Sequence, residues 1–215
     1  MMKVFIVGGG FAYARMYEGF GDKIVTRIED ADIVQFTGGE DVTASWYGEH
    51  SHRSTYSNER RDDYELSVWE QAFALGKFCV GICRGGQFLN VINGGTMWQD
   101  VDGHAIHGTH DVLDILTGRI IPCTSTHHQM MKKGDKGILV AHSVEMLSSS
   151  KRFMTGLHQE PQEQIARGVA TETESVYYPE TRSLCFQPHP EIVRQGHPCQ
   201  EYFFELLGRY YNAQD

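Results

Sequence analysis

Phe78-Cys79-Val80-Gly81-Ile82-Cys83-Arg84-Gly85 is the stretch from which this chain can be read. Phe78 to Ile82 is an apolar run of strand length. From Arg84 to Ile92 the apolar residues Phe88, Leu89, Val91 and Ile92 mark a helix, ended at Gly94-Gly95. Cys83 therefore stands at a strand-to-helix junction inside Gly-x-Cys-x-Gly, the cysteine version of a nucleophile elbow. A bend that sharp needs unusual backbone angles, and flanking glycines remove the Cβ atoms that would clash. It lifts the sulfur to the carboxyl end of the sheet, where ligands bind in open α/β folds. It also sets the sulfur at a helix N-terminus, whose partial positive charge favours a thiolate. A free cysteine is more commonly a small buried hydrophobe. That plainer reading serves for Cys79, Cys123, Cys185 and Cys199; the glycine frame sets Cys83 apart.

Outward from the elbow, Val4 to Val7 and Ile33 to Phe36 are further buried-strand runs, ended by Gly8-Gly9-Gly10 and Gly38-Gly39. Between Arg60 and Lys77 the pattern is helical, with Leu66, Trp69 and Phe73 at i, i+3 and i+7 and Val68, Ala72 and Leu75 beside them. Strand alternating with helix predicts a parallel sheet covered by helices. The middle is more β-like: Val112 to Leu116, Ile138 to Ala141 and Gly168 to Thr171 read as short strands whose pairing the sequence leaves open. Ser183 to Phe186 is a last strand, and Gln200 to Tyr211 a closing amphipathic helix. With no repeat or linker, residues 1–215 read as one domain.

A nucleophilic cysteine needs an oriented base. Gln187-Pro188-His189-Pro190-Glu191 directly follows the last strand. Pro190 biases His189 toward extended angles, in which residues i and i+2 share a face. Glu191 can then hold one ring nitrogen of His189 and leave the other to the thiol. The alternative is a loop histidine between turn-forming prolines. Acyl chemistry also needs donors for an oxyanion. The N–H of Arg84, next to the nucleophile, is one; Gly39, in the Gly38-Gly39 turn, is a second unless that pair is only a β-turn.

The remaining signals mostly exclude. Lys and Arg total 19 against 28 acidic residues, a formal charge of −9, which disfavours a nucleic-acid binder. The N-terminal apolar run is too short for a secretory signal and no stretch has transmembrane length. Five cysteines in no zinc or disulfide pattern suggest a reduced, cytoplasmic setting. His104, His107 and His110, with His127 and His128, invite a metal site, but Gly103 and Gly108 argue against a helix aligning them, so no metal is assigned. Gly8-Gly9-Gly10 lacks a phosphate-loop pattern and reads as a βα turn. Arg60-Arg61-Asp62-Asp63 is either a substrate-carboxylate clamp or, more simply, the acidic start of a helix. Trp46-Tyr47 and Tyr177-Tyr178 are core or surface aromatics before they are pocket walls.

Gly81-Ile82-Cys83-Arg84-Gly85-Gly86-Gln87 and Gln187-Pro188-His189-Pro190-Glu191 together resemble the class I glutamine amidotransferase superfamily. Thr37-Gly38-Gly39-Glu40-Asp41-Val42, Asn93-Gly94-Gly95-Thr96-Met97-Trp98-Gln99-Asp100 and Ser125-Thr126-His127-His128-Gln129 point within it to the γ-glutamyl hydrolase-like branch, which includes γ-glutamyl-GABA hydrolase. The resemblance implies a three-layer α/β/α sandwich of flavodoxin-like type around a mostly parallel sheet. It implies a Cys83–His189–Glu191 triad that cleaves glutamine or a γ-glutamyl amine through a thioester on Cys83, with no cofactor. It places Gln87, and the backbone around His128 and Gln129, against the glutamyl substrate. Gly103 to Ile121 and Glu145 to Glu163 match no family motif and are expected to shape the pocket. Two rival readings are a glutaminase subunit feeding ammonia to a separate synthetase, and a non-catalytic module that retains the fold. The sequence leaves the amine half of the substrate and the oligomeric state open.

Overall fold

The computed structural model of the chain describes residues 1–167 and 171–213. Its first half runs β1 (Lys3–Ile6), α1 (Phe11–Gly19), β2 (Lys23–Val25), β3 (Ile33–Phe36), α2 (Glu59–Ala74), β4 (Phe78–Ile82) and α3 (Arg84–Ile92). Shorter strands follow: β5 (Thr96–Trp98), β6 (Asp100–Val101), β7 (Ala105–Asp114), β8 (Ile120–Thr126), β9 (Met130–Lys132), β10 (Ile138–Ser143), β11 (Lys151–Met154) and β12 (Glu163–Ala166). The chain closes with β13 (Thr173–Tyr178), β14 (Ser183–Phe186) and α4 (Pro198–Tyr211).

A nine-stranded sheet organises these elements in the order β2-β1-β3-β4-β14-β13-β10-β7-β8. The strands from β2 to β14 pair in parallel, as strand–helix alternation requires. The rest of the sheet, β13-β10-β7-β8, is antiparallel. The parallel sheet expected from sequence is thus present and is extended by an antiparallel half of the same sheet. Two smaller sheets, β12-β11-β6 and β5-β9, stand beside it.

Side chains of the parallel strands alternate between two apolar layers, the period-2 consequence of the pleat. On β4, Phe78, Val80 and Ile82 face α1 and α4, whose Tyr17, Tyr202, Phe203 and Leu206 complete one core. Cys79 on β4, Val34 and Phe36 on β3 and Cys185 on β14 face α2 and α3 through Val68, Ala72, Phe88 and Leu89. Helices therefore cover both faces, the three-layer α/β/α arrangement.

Several boundaries differ from the sequence reading. The strand expected over Val112 to Leu116 ends at Asp114, and Ile115 and Leu116 lie exposed in the turn to β8. Of the strand expected over Gly168 to Thr171, residues 168–170 fall outside the described residues, and the next strand is β13. On α2 the fully or nearly buried positions are Asp62, Glu65, Val68 and Ala72, while Phe73 is half exposed. Tyr47, Tyr177 and Tyr178 are core aromatics. Among the described residues no helix is long and apolar enough to cross a membrane.

Candidate active site

Cys83 leaves β4 with φ 51° and ψ −114°, a conformation L-residues adopt only under constraint. Its N–H donates to the Phe186 carbonyl on β14 at 2.7 Å, and its own carbonyl accepts from Gln87 N–H at 2.9 Å to open α3. The flanking glycines are there for close approach. A Cβ on Gly81 would stand 2.2 Å from the Gly85 carbonyl, and one on Gly85 2.4 Å from the Phe36 carbonyl. Cys83 is only partly buried, unlike the other four cysteines.

The strand that anchors Cys83 also delivers its partner. Beyond β14 the chain reaches His189, whose N–H donates to Thr124 Oγ1 on β8 at 2.7 Å. Its Nδ1 lies 2.6 Å from Glu191 Oε1, which fixes the tautomer and leaves Nε2 for the thiol. A Cβ placed on Gly38 would meet His189 Cε1 at 3.1 Å, Tyr13 Oη at 3.3 Å and Cys83 Cβ at 3.7 Å, so all three side chains converge there. Burial disfavours a charged His189 ring, yet hydrogen bonding and charge from Cys83 and Glu191 outweigh it and push the imidazole up to about 11. The ring is therefore a cation at neutral pH beside the thiol. Tyr13 on α1, which the sequence reading did not single out, accepts the Gly38 N–H at 2.9 Å and is held protonated by burial and by the charge of Glu191.

The Thr37–Glu40 turn is held from α2. Arg61 Nη2 donates to the carbonyls of Gly38 at 2.9 Å and Thr37 at 3.1 Å, while Nη1 donates to Glu40 Oε2 at 2.8 Å. Gly39 has φ 139°, and a Cβ there would stand 2.2 Å from Arg61 Nη1. Among the described residues no protein acceptor takes the Gly39 or Arg84 N–H. The Arg84 side chain points away from solvent: it is buried and ion-paired with Asp62 Oδ1 and Glu65 Oε2. Burial, then the nearby Arg61 charge, bring its guanidinium down to about 10. The Arg60–Asp63 cluster is the start of α2, with Asp62 in its first turn, and Arg61 is taken up by protein acceptors rather than left free as a carboxylate clamp. Two of its members, Arg61 and Asp62, are the scaffold of the elbow and of the facing turn.

The expected substrate contacts lie in one wall. Gln87 Nε2, one turn into α3, donates to the Gln129 carbonyl at 3.1 Å and to Gln187 Oε1 at 3.2 Å. Gln129 Nε2 donates to Thr55 Oγ1 at 3.1 Å, and His128 Nε2 lies 3.2 Å from Asp41 Oδ1, whose hydrogen bond raises the imidazole. In this structure the Gln87 amide braces the wall.

One group among the described residues could hold a metal ion: His104, His110 and Glu174, all buried. No metal is assigned to these histidines from sequence, because a helix cannot align them. They meet instead across strands, and His107 and His128 stay outside.

The peptidase C26 family profile matches residues 6–173, spanning the elbow, the Thr37–Glu40 turn and the Ser125–Gln129 wall. The chain belongs to the peptidase C26 family. This family is class I glutamine amidotransferase-like, and related proteins agree. The glutamine amidotransferase-like protein YvdE of Lactococcus lactis subsp. lactis (strain IL1403) is 28% identical to this peptidase C26 chain over 177 residues, 82% of the chain and 72% of the relative. The YvdE homolog of Lactococcus lactis subsp. cremoris is 36% identical over 105 residues, 48% of the chain; the match spans only 53% of the relative's own length. Among solved structures, PurLQS from Thermotoga maritima superposes with a TM-score of 0.64 at 16% identity, over 98% of this chain and 99% of that one. A Thermotoga maritima glutamine amidotransferase gives 0.60 at 14% identity, over 97% and 85%. At such identities the structures establish the class I glutamine amidotransferase fold.

Proposed function

We propose that this peptidase C26 protein hydrolyses a γ-glutamyl amide through a covalent γ-glutamyl thioester on Cys83. The observation that carries the reading is the convergence of Cys83, in its strained backbone conformation, with a His189 ring whose far nitrogen is fixed by Glu191 at 2.6 Å. A cationic ring beside the thiol is the electrostatic condition for a thiolate–imidazolium pair.

The thiolate attacks the amide carbonyl, and the N–H groups of Arg84 and Gly39 donate to the developing oxyanion. His189 Nε2 gives its proton to the departing amine or ammonia, leaving the thioester. A water then enters; His189 takes its proton, the C–S bond breaks and glutamate leaves with Cys83 restored. Glu191 orients and charges the ring throughout, without itself transferring the proton. Gln87, His128 and Gln129 form the wall against the glutamyl part.

The test is glutamate release by the purified chain alone from a panel of γ-glutamyl amines and from glutamine. Turnover of γ-glutamyl amines by the isolated chain supports the hydrolase. The alternative, ammonia supply to a synthetase, has a motive in structural relatives described as a GMP synthase subunit and as PurLQS. It predicts glutaminase activity that depends on an added partner. No turnover under either condition leaves only a non-catalytic module and overturns the proposal.

A further inference from the structure

His104 precedes β7, His110 lies in it, His127 follows β8 and Glu174 lies in β13. The register brings them together: Ala105 pairs with Thr126 and Thr109 with Thr124, so β7 bulges between them and returns His110 to the side of His104. All four side chains are buried. Each histidine turns a ring nitrogen toward one oxygen, Glu174 Oε1: His110 Nε2 at 2.9 Å, His104 Nδ1 at 3.7 Å and His127 Nε2 at 4.0 Å. Ligands bound at about 2.0–2.1 Å in a tetrahedral zinc site stand roughly 3.3 Å apart, a value these three distances bracket. The ligand atoms of His104, His110 and Glu174 all lie within 4.8 Å of one another, with His127 at the margin.

Hydrogen bonds on the far side of two rings leave the near nitrogen as a bare lone pair. His127 Nδ1 faces the Gln129 carbonyl at 2.9 Å and so carries the proton; its Nε2 is buried without a partner. His104 Nε2 faces Glu172 Oε2 at 2.9 Å, which leaves Nδ1 unprotonated. Ser125 Oγ, 3.3 Å from that Nδ1, donates its one proton to the His104 carbonyl at 2.6 Å. A ring N–H held by a carboxylate or carbonyl is the outer arrangement of metal-bound histidines.

Charge points the same way. Glu172 is fully served, by Lys151 Nζ at 3.0 Å, by His104, and by the N–H groups of Leu147 and Ser148 at 2.8 Å each. Among the described residues the Glu174 carboxylate has no ammonium or backbone N–H partner: its Oε1 faces His110 Nε2 at 2.9 Å and its buried Oε2 has no hydrogen-bond partner. A buried carboxylate left in this way calls for a cation. A surface depression lined by Ile106, Thr109, Ser143 and Leu147 reaches His110 and offers a route in.

We infer that His104, His110, His127 and Glu174 form a binding site for one divalent cation of the zinc class, with Glu172 as the outer partner of His104. The site is distinct from the thiol chemistry but adjoins it. Gln187 N–H donates to the Glu174 carbonyl at 2.8 Å, and β8 supplies Thr124 to the His189 N–H. A bound ion would therefore tie together the strands behind the segment that carries His189.

The experiment is a Co²⁺ titration of the full-length Cys83→Ser protein after chelator treatment and return to chelator-free buffer. Removing the active-site thiol keeps that centre from contributing a thiolate ligand. Expected are uptake of one equivalent, visible d–d absorption of tetrahedral type without a thiolate charge-transfer band, and displacement by Zn²⁺. His127→Ala and Glu174→Gln are expected to weaken binding at least tenfold, whereas exposed His107→Ala leaves the titration unchanged. Should the ligand variants fail to fold, zinc-edge X-ray absorption of the Zn²⁺-loaded Cys83→Ser protein decides. Imidazole scattering from three rings supports the site; a sulfur-containing or all-oxygen shell overturns it. Folded protein that takes up no Co²⁺, or ligand variants that bind as tightly as the parent, also overturns it.

Discussion

Arg61 Nη2 donates to the Gly38 carbonyl at 2.9 Å, so a charged side chain on α2 fixes the peptide that faces Cys83. The same guanidinium reaches Thr37, Glu40 and Glu65, and the Gly39 Cα sits too close to it for any side chain. One arginine thereby sets the distance between the turn and the elbow.

Replacing Arg61 by Met keeps the stem and removes those donors. The turn then loses its position relative to the thiol, and kcat/KM is expected to fall by about tenfold to a hundredfold while the fold persists. Steady-state kinetics alongside circular dichroism measure this. An unchanged kcat/KM would show that the turn holds itself.

Arg84 is buried between Asp62 and Glu65, and a charge stranded there has no water to turn to. Asp62→Asn or Glu65→Gln is expected to cost about 3–5 kcal/mol of stability, read as a lowered urea midpoint. A loss within the roughly 0.5 kcal/mol typical of surface substitutions would contradict the pairing.

Cys83 holds its place at the bend in a strained backbone conformation, with φ 51°. Cys83→Ala and Cys83→Gly both remove the thiol and should both abolish turnover. Only glycine tolerates the backbone, so the Gly variant should be the more stable of the two by about 1–3 kcal/mol. Equal urea midpoints would mean the bend relaxes once the sulfur is gone.

His189 is raised to about 11 from an ordinary value of 6.5, and the sign of its effect on stability follows. A protonated ring is favoured in the folded state, so its contribution is complete below about pH 6.5 and drains away as pH climbs toward 11. Denaturation midpoints between about pH 7 and about pH 10 should therefore fall more steeply for the wild type than for His189→Asn. Parallel profiles would place the ring outside the influence of Cys83 and Glu191.

The Cys83 bend and the His189–Glu191 contact were legible in the sequence because each is local: Cys83 sits in its own glycine frame, and His189 and Glu191 lie two residues apart on an extended segment. The parallel strands were legible as continuous apolar runs. β8 was not, because Pro122 interrupts it; it stands at the sheet's edge, where proline is tolerated. β13 was hidden by Thr173, Glu174 and Ser175, polar residues buried behind the loop of His189. The Arg61–Asp62–Glu65–Arg84 network was not legible: Arg61 and Asp62 read only as part of a clamp or an acidic helix start, although Asp62 and Glu65 fall at helical spacing on the buried stripe of Val68 and Ala72. A carboxylate pair on an apolar stripe was the available signal. The histidine cluster escaped because it is assembled by a bulge and three separate strands, which spacing along the chain does not encode.

Acid-quenched intact-mass analysis of the purified chain during turnover of a γ-glutamyl amide tests the thioester most directly. A population heavier by one glutamyl group is expected, mapped by peptide fragmentation to Cys83 and absent from Cys83→Ala. Turnover without any adduct on Cys83, at a rate that Cys83→Ala retains, would contradict the thioester.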